Sequence, residues 1–166
     1  MARVQKNDFG VIGAMLDRGA KGIVAPLVNS VEEAKAAAYA VRYPPRGGRS
    51  FGPYGCANYG PDYAEWVDDE VFLAVQIESQ QAVEQVEKIM AVPGVDGCWI
   101  GPVDLGRCLR LNLGRPSDVE RHQAAVFRTL EACKAANKIP GIALGLIKGL
   151  IALGIWDNSA VAWWCS

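Results

Sequence analysis

The stretch from Val71 to Leu105 constrains the fold of this chain more than any other. Val-Phe-Leu-Ala-Val-Gln-Ile-Glu (71–78) is a short apolar run that ends in a carboxylate. Gly-Val-Asp-Gly-Cys-Trp-Ile-Gly-Pro-Val-Asp (94–104) is a second one. The intervening residues 80–92 read as an amphipathic helix that packs Val83, Val86 and Ile89. Apolar runs of this length on either side of a helical segment are the signature of parallel strands in a βαβ unit. Consecutive parallel strands lie side by side with their C-terminal ends pointing the same way. Glu78 and Asp104 are therefore expected together at one rim of a sheet or barrel, where α/β folds place their chemistry. Two hard oxygen ligands there suit a divalent cation such as Mg²⁺ or Mn²⁺. Taken singly, each carboxylate reads better as a helix cap; it is their pairing at two strand ends, with the motifs around them, that favours ligation.

The rest of the chain repeats the alternation. Asp8 is placed to cap a helix that carries Val11, Ile12, Met15 and Leu16, and Gly19 to end it. Gly22 to Val28 reads as a buried strand. Asn29 or Ser30 caps the Ala-rich helix that follows, with Glu32 and Glu33 in its first turn, and Pro44-Pro45 stops it. Residues 44–62 form a long Gly/Pro/Tyr-rich loop, readable as a plain surface connection or as an active-site lid. Asp62 opens a short helix, Pro116 begins the longest one, to about Asn137, and Ile139 to Leu144 reads as another strand. The expected fold is α/β with a parallel sheet: four clear strands, and a fifth and sixth at the termini. A complete eight-stranded barrel takes about 250 residues, so 166 residues in one domain suffice for about six of its eight strands.

Composition narrows the function. Seventeen basic residues against 18 acidic ones leave a formal net charge of −1, which points away from nucleic acid and from anionic membrane surfaces. No run approaches the ~18 apolar residues of a membrane helix, and the N-terminus has no signal-like apolar core. Five cysteines with no Cys-x-x-Cys spacing are expected as free thiols, and the chain as cytoplasmic. A nucleotide-binding domain is disfavoured because no Gly-x-Gly-x-x-Gly follows a strand and no Gly-Lys-Ser/Thr closes the glycine-rich loop.

Three motifs stand in order: Arg-Tyr-Pro-Pro-Arg-Gly-Gly-Arg-Ser-Phe-Gly-Pro (42–53), Gln76-Ile-Glu78, and Gly101-Pro102-Val103-Asp104-Leu. With them the chain resembles the HpcH/HpaI aldolase/citrate lyase family from about residue 3 to 145, with a divergent tail over 146–166. The resemblance implies a phosphoenolpyruvate/pyruvate-domain-like (β/α)8 barrel, N- and C-terminally shortened here. It implies a class II, 4-hydroxy-2-oxoheptanedioate aldolase-like lyase that cleaves a hydroxy-2-keto acid to pyruvate and an aldehyde. Glu78 and Asp104 would be the ligands of Mg²⁺ or Mn²⁺, with Co²⁺ a further candidate. Arg3 would be catalytic and contact the keto oxygen, Gln76 would support the site, and Gly101, Pro102, Val103 and Asp104 would meet the substrate carboxylate. The substrates implied are pyruvate, oxaloacetate and related 2-keto acids, and the assembly implied is a homo-oligomer.

The chain departs from the family pattern in three ways. The family's catalytic histidine precedes the arginine, on a strand absent here. The one histidine, His122, falls in the long helix and reads as a solvent-exposed surface residue. Val103 and Gly106 stand where the pattern Gly-Pro-Ala-Asp-Leu-Ser has alanine and serine. The departures keep two other functions in view: an oxaloacetate decarboxylase-like activity, and a non-catalytic binding or assembly unit.

Overall fold

The computed structural model describes residues 1–52, 54–112 and 114–143. Among the described residues, five strands form one parallel sheet: β1 (Ala2–Arg3), β2 (Gly22–Ala25), β3 (Phe72–Ile77), β4 (Gly97–Ile100) and β5 (Ile139–Ile142). Seven α-helices connect them: α1 (Phe9–Asp17), α2 (Val31–Val41), α3 (Tyr63–Glu70), α4 (Gln80–Glu84), α5 (Val86–Met90), α6 (Pro102–Cys108) and α7 (Pro116–Ala135). The strand order in space is the order in the chain, β1-β2-β3-β4-β5. A doubly wound sheet reverses its strand order part-way; a barrel does not. With right-handed crossovers, an unreversed order puts every connecting helix on the same face. The sheet is thus part of a (β/α)8 barrel wall. The sixth expected strand, the end of the 139–144 run and the tail 146–166 fall wholly or partly outside the described residues.

The pleat sorts the side chains. Ile23, Ala25, Leu73, Val75, Ile77, Cys98, Ile100 and Ile142 point to the helices and join one core with Ile12, Leu16, Val41, Val86, Ile89, Val126 and Cys133. The alternate positions face the concave side. Val24 pairs with Ala74 and Ala74 with Gly97; Gln76 pairs with Trp99 and Trp99 with Gly141. Small residues there leave room for two aromatic rings. A β-carbon at Gly141 would lie 3.1 Å from the Trp99 ring, and one at Gly97 would lie 2.9 Å from Phe72 Cζ.

Local chemistry sets the element ends. The Asp8 carboxylate accepts from the amides of Gly10 and Val11, and Ser30 Oγ accepts from the Glu33 amide, each the side-chain cap of its helix. Gly19 ends α1 in the left-handed region. Two expectations are corrected. The run 22–28 leaves the sheet after Ala25, because Pro26 has no amide to donate and Leu27 adopts a left-handed φ of 52°. The segment 80–92 is two short helices broken at Gln85, whose φ of −111° is not helical.

Candidate active site

The residues expected to bind metal or substrate lie at the C-terminal rim of the sheet. Arg3 ends β1, Gln76 is the last but one residue of β3, and Glu78 follows that strand. Gly101 follows β4, and Pro102 to Asp104 form the first turn of α6. Asp104 is thus a helix residue four positions past its strand, and its exposed carboxylate has Arg107 at 3.8 Å.

Glu78 is the centre of the arrangement. Its side chain is buried, at 3% exposure. Oε1 accepts the Leu27 amide at 3.0 Å, and Oε2 accepts Gln76 Nε2 at 2.6 Å. The left-handed conformation of Leu27 aims that amide, and a polar clamp holds it. Asn29 Nδ2 donates to the Leu27 carbonyl at 2.9 Å, Ser79 Oγ bonds Asn29 Oδ1, and Gln85 Nε2 donates to the Asn29 carbonyl at 3.2 Å. Non-glycine residues hold this conformation where surrounding structure over-determines it, and such places cluster at functional sites. Gly101 is required by contact: a β-carbon there would fall 2.7 Å from Glu78 Oε2 and 3.0 Å from Gln76 Nε2.

Four influences act on the Glu78 carboxyl. Burial raises its pKa most, the Leu27 amide lowers it, the Asp104 charge raises it, the Arg3 charge lowers it, and the net shift is upward. Two of these influences, from Asp104 and Arg3, bring both remaining predicted residues into electrostatic reach of Glu78. A carboxylate held out of water beside a second carboxylate is the environment a cation relieves. Gln76 Oε1 is also buried here without a hydrogen-bond partner. Among the described residues no group of three or more His, Cys, Asp or Glu side chains gathers. The donor set is two carboxylates, which fits a hard divalent ion that keeps several water or substrate ligands, as Mg²⁺ does.

His122 corrects the sequence reading. It is 3% exposed, and its Nε2 lies 2.7 Å from the Pro102 carbonyl oxygen, between α6 and α7. Twenty-residue α7 buries this position along with Val126, Thr129, Leu130 and Cys133. The spacing 122, 126, 129, 130, 133 is itself a helical stripe and was the available signal. Of the two readings of the 44–62 loop, the structure favours the plain connection. Gly47, Gly48 and Arg49 amides bond the carbonyls of Tyr43, Tyr39 and Arg42, and the Gly55 amide bonds Asp17 O at 2.6 Å. These partners are the C-terminal ends of α1 and α2, at the opposite end of the sheet from Glu78, so the loop is no lid over this site.

The family model described as HpcH/HpaI aldolase/citrate lyase matches residues 1–146. The chain belongs to that family. It is 39% identical over 148 residues to a hydroxypyruvate/pyruvate aldolase of Rhizorhabdus wittichii, covering 86% of this chain and 57% of that protein. It is 37% identical over 142 residues to a 4-hydroxy-2-oxovalerate aldolase of Rhodococcus jostii, covering 84% and 54%. A crystal structure of an HpcH/HpaI aldolase/citrate lyase family protein from Burkholderia cenocepacia superposes with a TM-score of 0.79 at 27% identity, covering 96% of this chain and 63% of that one. The chain thus spans somewhat over half the length of the relatives it matches. Membership of the HpcH/HpaI family agrees with the unreversed strand order and with the rim location of the 76–78 and 101–104 motifs.

Proposed function

We propose that this chain is a divalent-metal-dependent carbon–carbon lyase of the HpcH/HpaI type, acting on 2-keto acids. The observation that carries the reading is the buried Glu78, oriented by the Leu27 amide and Gln76 and facing the charges of Asp104 and Arg3. Glu78 and Asp104 would hold the ion, Mg²⁺ or Mn²⁺. When bound, the ion supplies Lewis acidity toward the keto oxygen. Arg3 presents a fixed positive charge to the same oxygen, where negative charge grows as the neighbouring carbon–carbon bond breaks. Gln76 keeps the Glu78 carboxylate in one orientation. The backbone from Gly101 to Asp104 receives the substrate carboxylate. The names of the relatives support a hydroxy-2-keto acid that yields pyruvate and an aldehyde.

Retro-aldol cleavage requires a base at the substrate hydroxyl, and general acid–base assistance is worth about 10²–10⁴-fold. The single histidine is buried, with its Nε2 bound to the Pro102 carbonyl. Loss of CO₂ from oxaloacetate needs no such base. The 166-residue chain is therefore expected to retain more oxaloacetate decarboxylation than retro-aldol cleavage, relative to a longer family member. Both rates are assayed with Mn²⁺, with Glu78→Gln as the background control. Equal retention of both would mean that another group serves as base, and decarboxylation at the control rate would refute catalysis by this chain.

A further inference from the structure

We propose that His122 is a positioning residue that sets the peptide with which the 101–104 turn receives the substrate carboxylate; this deepens the proposed function and rests on it. A carbonyl oxygen only accepts hydrogen bonds, so the 2.7 Å contact to Pro102 O requires the proton on His122 Nε2. The peptide unit is planar and trans, so the Pro102 carbonyl and the Val103 amide point in opposite directions from one rigid plate. Pro102 opens α6, so the bond from His122 adds to the helix itself in holding the direction of the Val103 N–H. Accepting a bond at the carbonyl also polarises the same amide and makes its N–H a better donor.

Two observations give His122 this role rather than a packing role or a catalytic one. At 3% exposure it is buried between α6 and α7, where an aliphatic side chain would pack as well; what imidazole adds is the bond to Pro102. It lies behind the turn, so it reaches the reacting atoms only through Pro102.

The test measures Mn²⁺ and then pyruvate binding by calorimetry on the full chain, for wild type, His122→Leu and His122→Gln. The expected result for His122→Leu is pyruvate affinity lower by about three- to tenfold, the range of one net hydrogen bond, with Mn²⁺ affinity within about twofold of wild type. His122→Gln, which can still donate to Pro102, recovers most of the loss. Unchanged pyruvate affinity in His122→Leu, or equal loss in both variants, overturns the inference while the proposed function stands. Wild type that binds neither Mn²⁺ nor pyruvate overturns the proposed function, and the inference falls with it. Should His122→Leu fail to fold, the wild type suffices, because its one histidine gives a single imidazole Nε2–H resonance. That resonance should shift when pyruvate saturates the Mg²⁺-loaded protein, and a resonance that stays in place overturns the inference.

Discussion

At the scale of single residues, the site depends on how closely Glu78 is enclosed. Gly101→Ala would bring a methyl group to 2.7 Å from Glu78 Oε2 and 3.0 Å from Gln76 Nε2, so the carboxylate must move. The variant is expected to lose about tenfold or more in Mn²⁺ affinity by calorimetry, with overpacking costing about 1–3 kcal/mol in a denaturant melt. Wild-type affinity would show that the carboxylate has slack. The pH dependence follows from the raised Glu78 pKa. The folded chain holds that proton more tightly than the unfolded chain, so stability falls as pH rises from the ordinary 4.5 through the raised value. Without metal, wild type should lose melting temperature across that window relative to Glu78→Gln; parallel profiles would contradict the burial. The rim placement of Glu78 and Gln76 was legible in the sequence because motif and strand-end position coincide, whereas Asp104 lies past its strand, in α6. Leu27 was not, since an amide aimed by a left-handed backbone leaves no mark on residue type. His122 was missed because a lone histidine was weighed without the helical stripe around it.

At the scale of elements, the 44–62 loop is anchored from inside. The Arg49 guanidinium is fully buried, pairs with Asp17 at 2.8 Å, donates to Tyr63 Oη at 3.2 Å, and lies 4.6 Å from the Tyr43 ring centroid. Burial pushes the Tyr63 hydroxyl up to about 12. Removing one partner of a buried pair costs about 3 kcal/mol, so Arg49→Met should destabilise the chain by that much in urea while leaving Mn²⁺ affinity unchanged. A cost below about 1 kcal/mol would mean that the pair is solvated. The loop's length and Gly/Pro content were plain in the sequence. Its position followed from topology instead: a helix-to-strand connection in a parallel unit lies at the end away from the strand C-termini. The break at Gln85 has a similar origin. Val83, Val86 and Ile89 recur every three residues, and such steps drift by about 60° each around a continuous α-helix. The break, with the Gln85 side chain bound to Asn29 O, resets the face, so all three residues are buried.

At the scale of the molecule, the parallel order of the strands was legible from alternating apolar runs and helical segments, and the rim location of the site followed from it. How the barrel wall closes was not, because closure depends on what lies against β1 and β5. Among the described residues β1 and β5 each pair on one side only. Unpaired strand edges beside a concave face that carries Phe72 and Trp99 invite association. Light scattering is expected to give a mass above the 17.8 kDa of one chain, and a sharp monomer with a cooperative melt would show that the edges are covered from within the chain. The central claim, that Glu78 and Asp104 together hold a divalent ion at this rim, is met most directly by Mn²⁺ titration calorimetry on wild type, Glu78→Gln and Asp104→Asn. The account predicts one site in wild type and loss of tight binding in each variant. Equal Mn²⁺ affinity in all three proteins would contradict it.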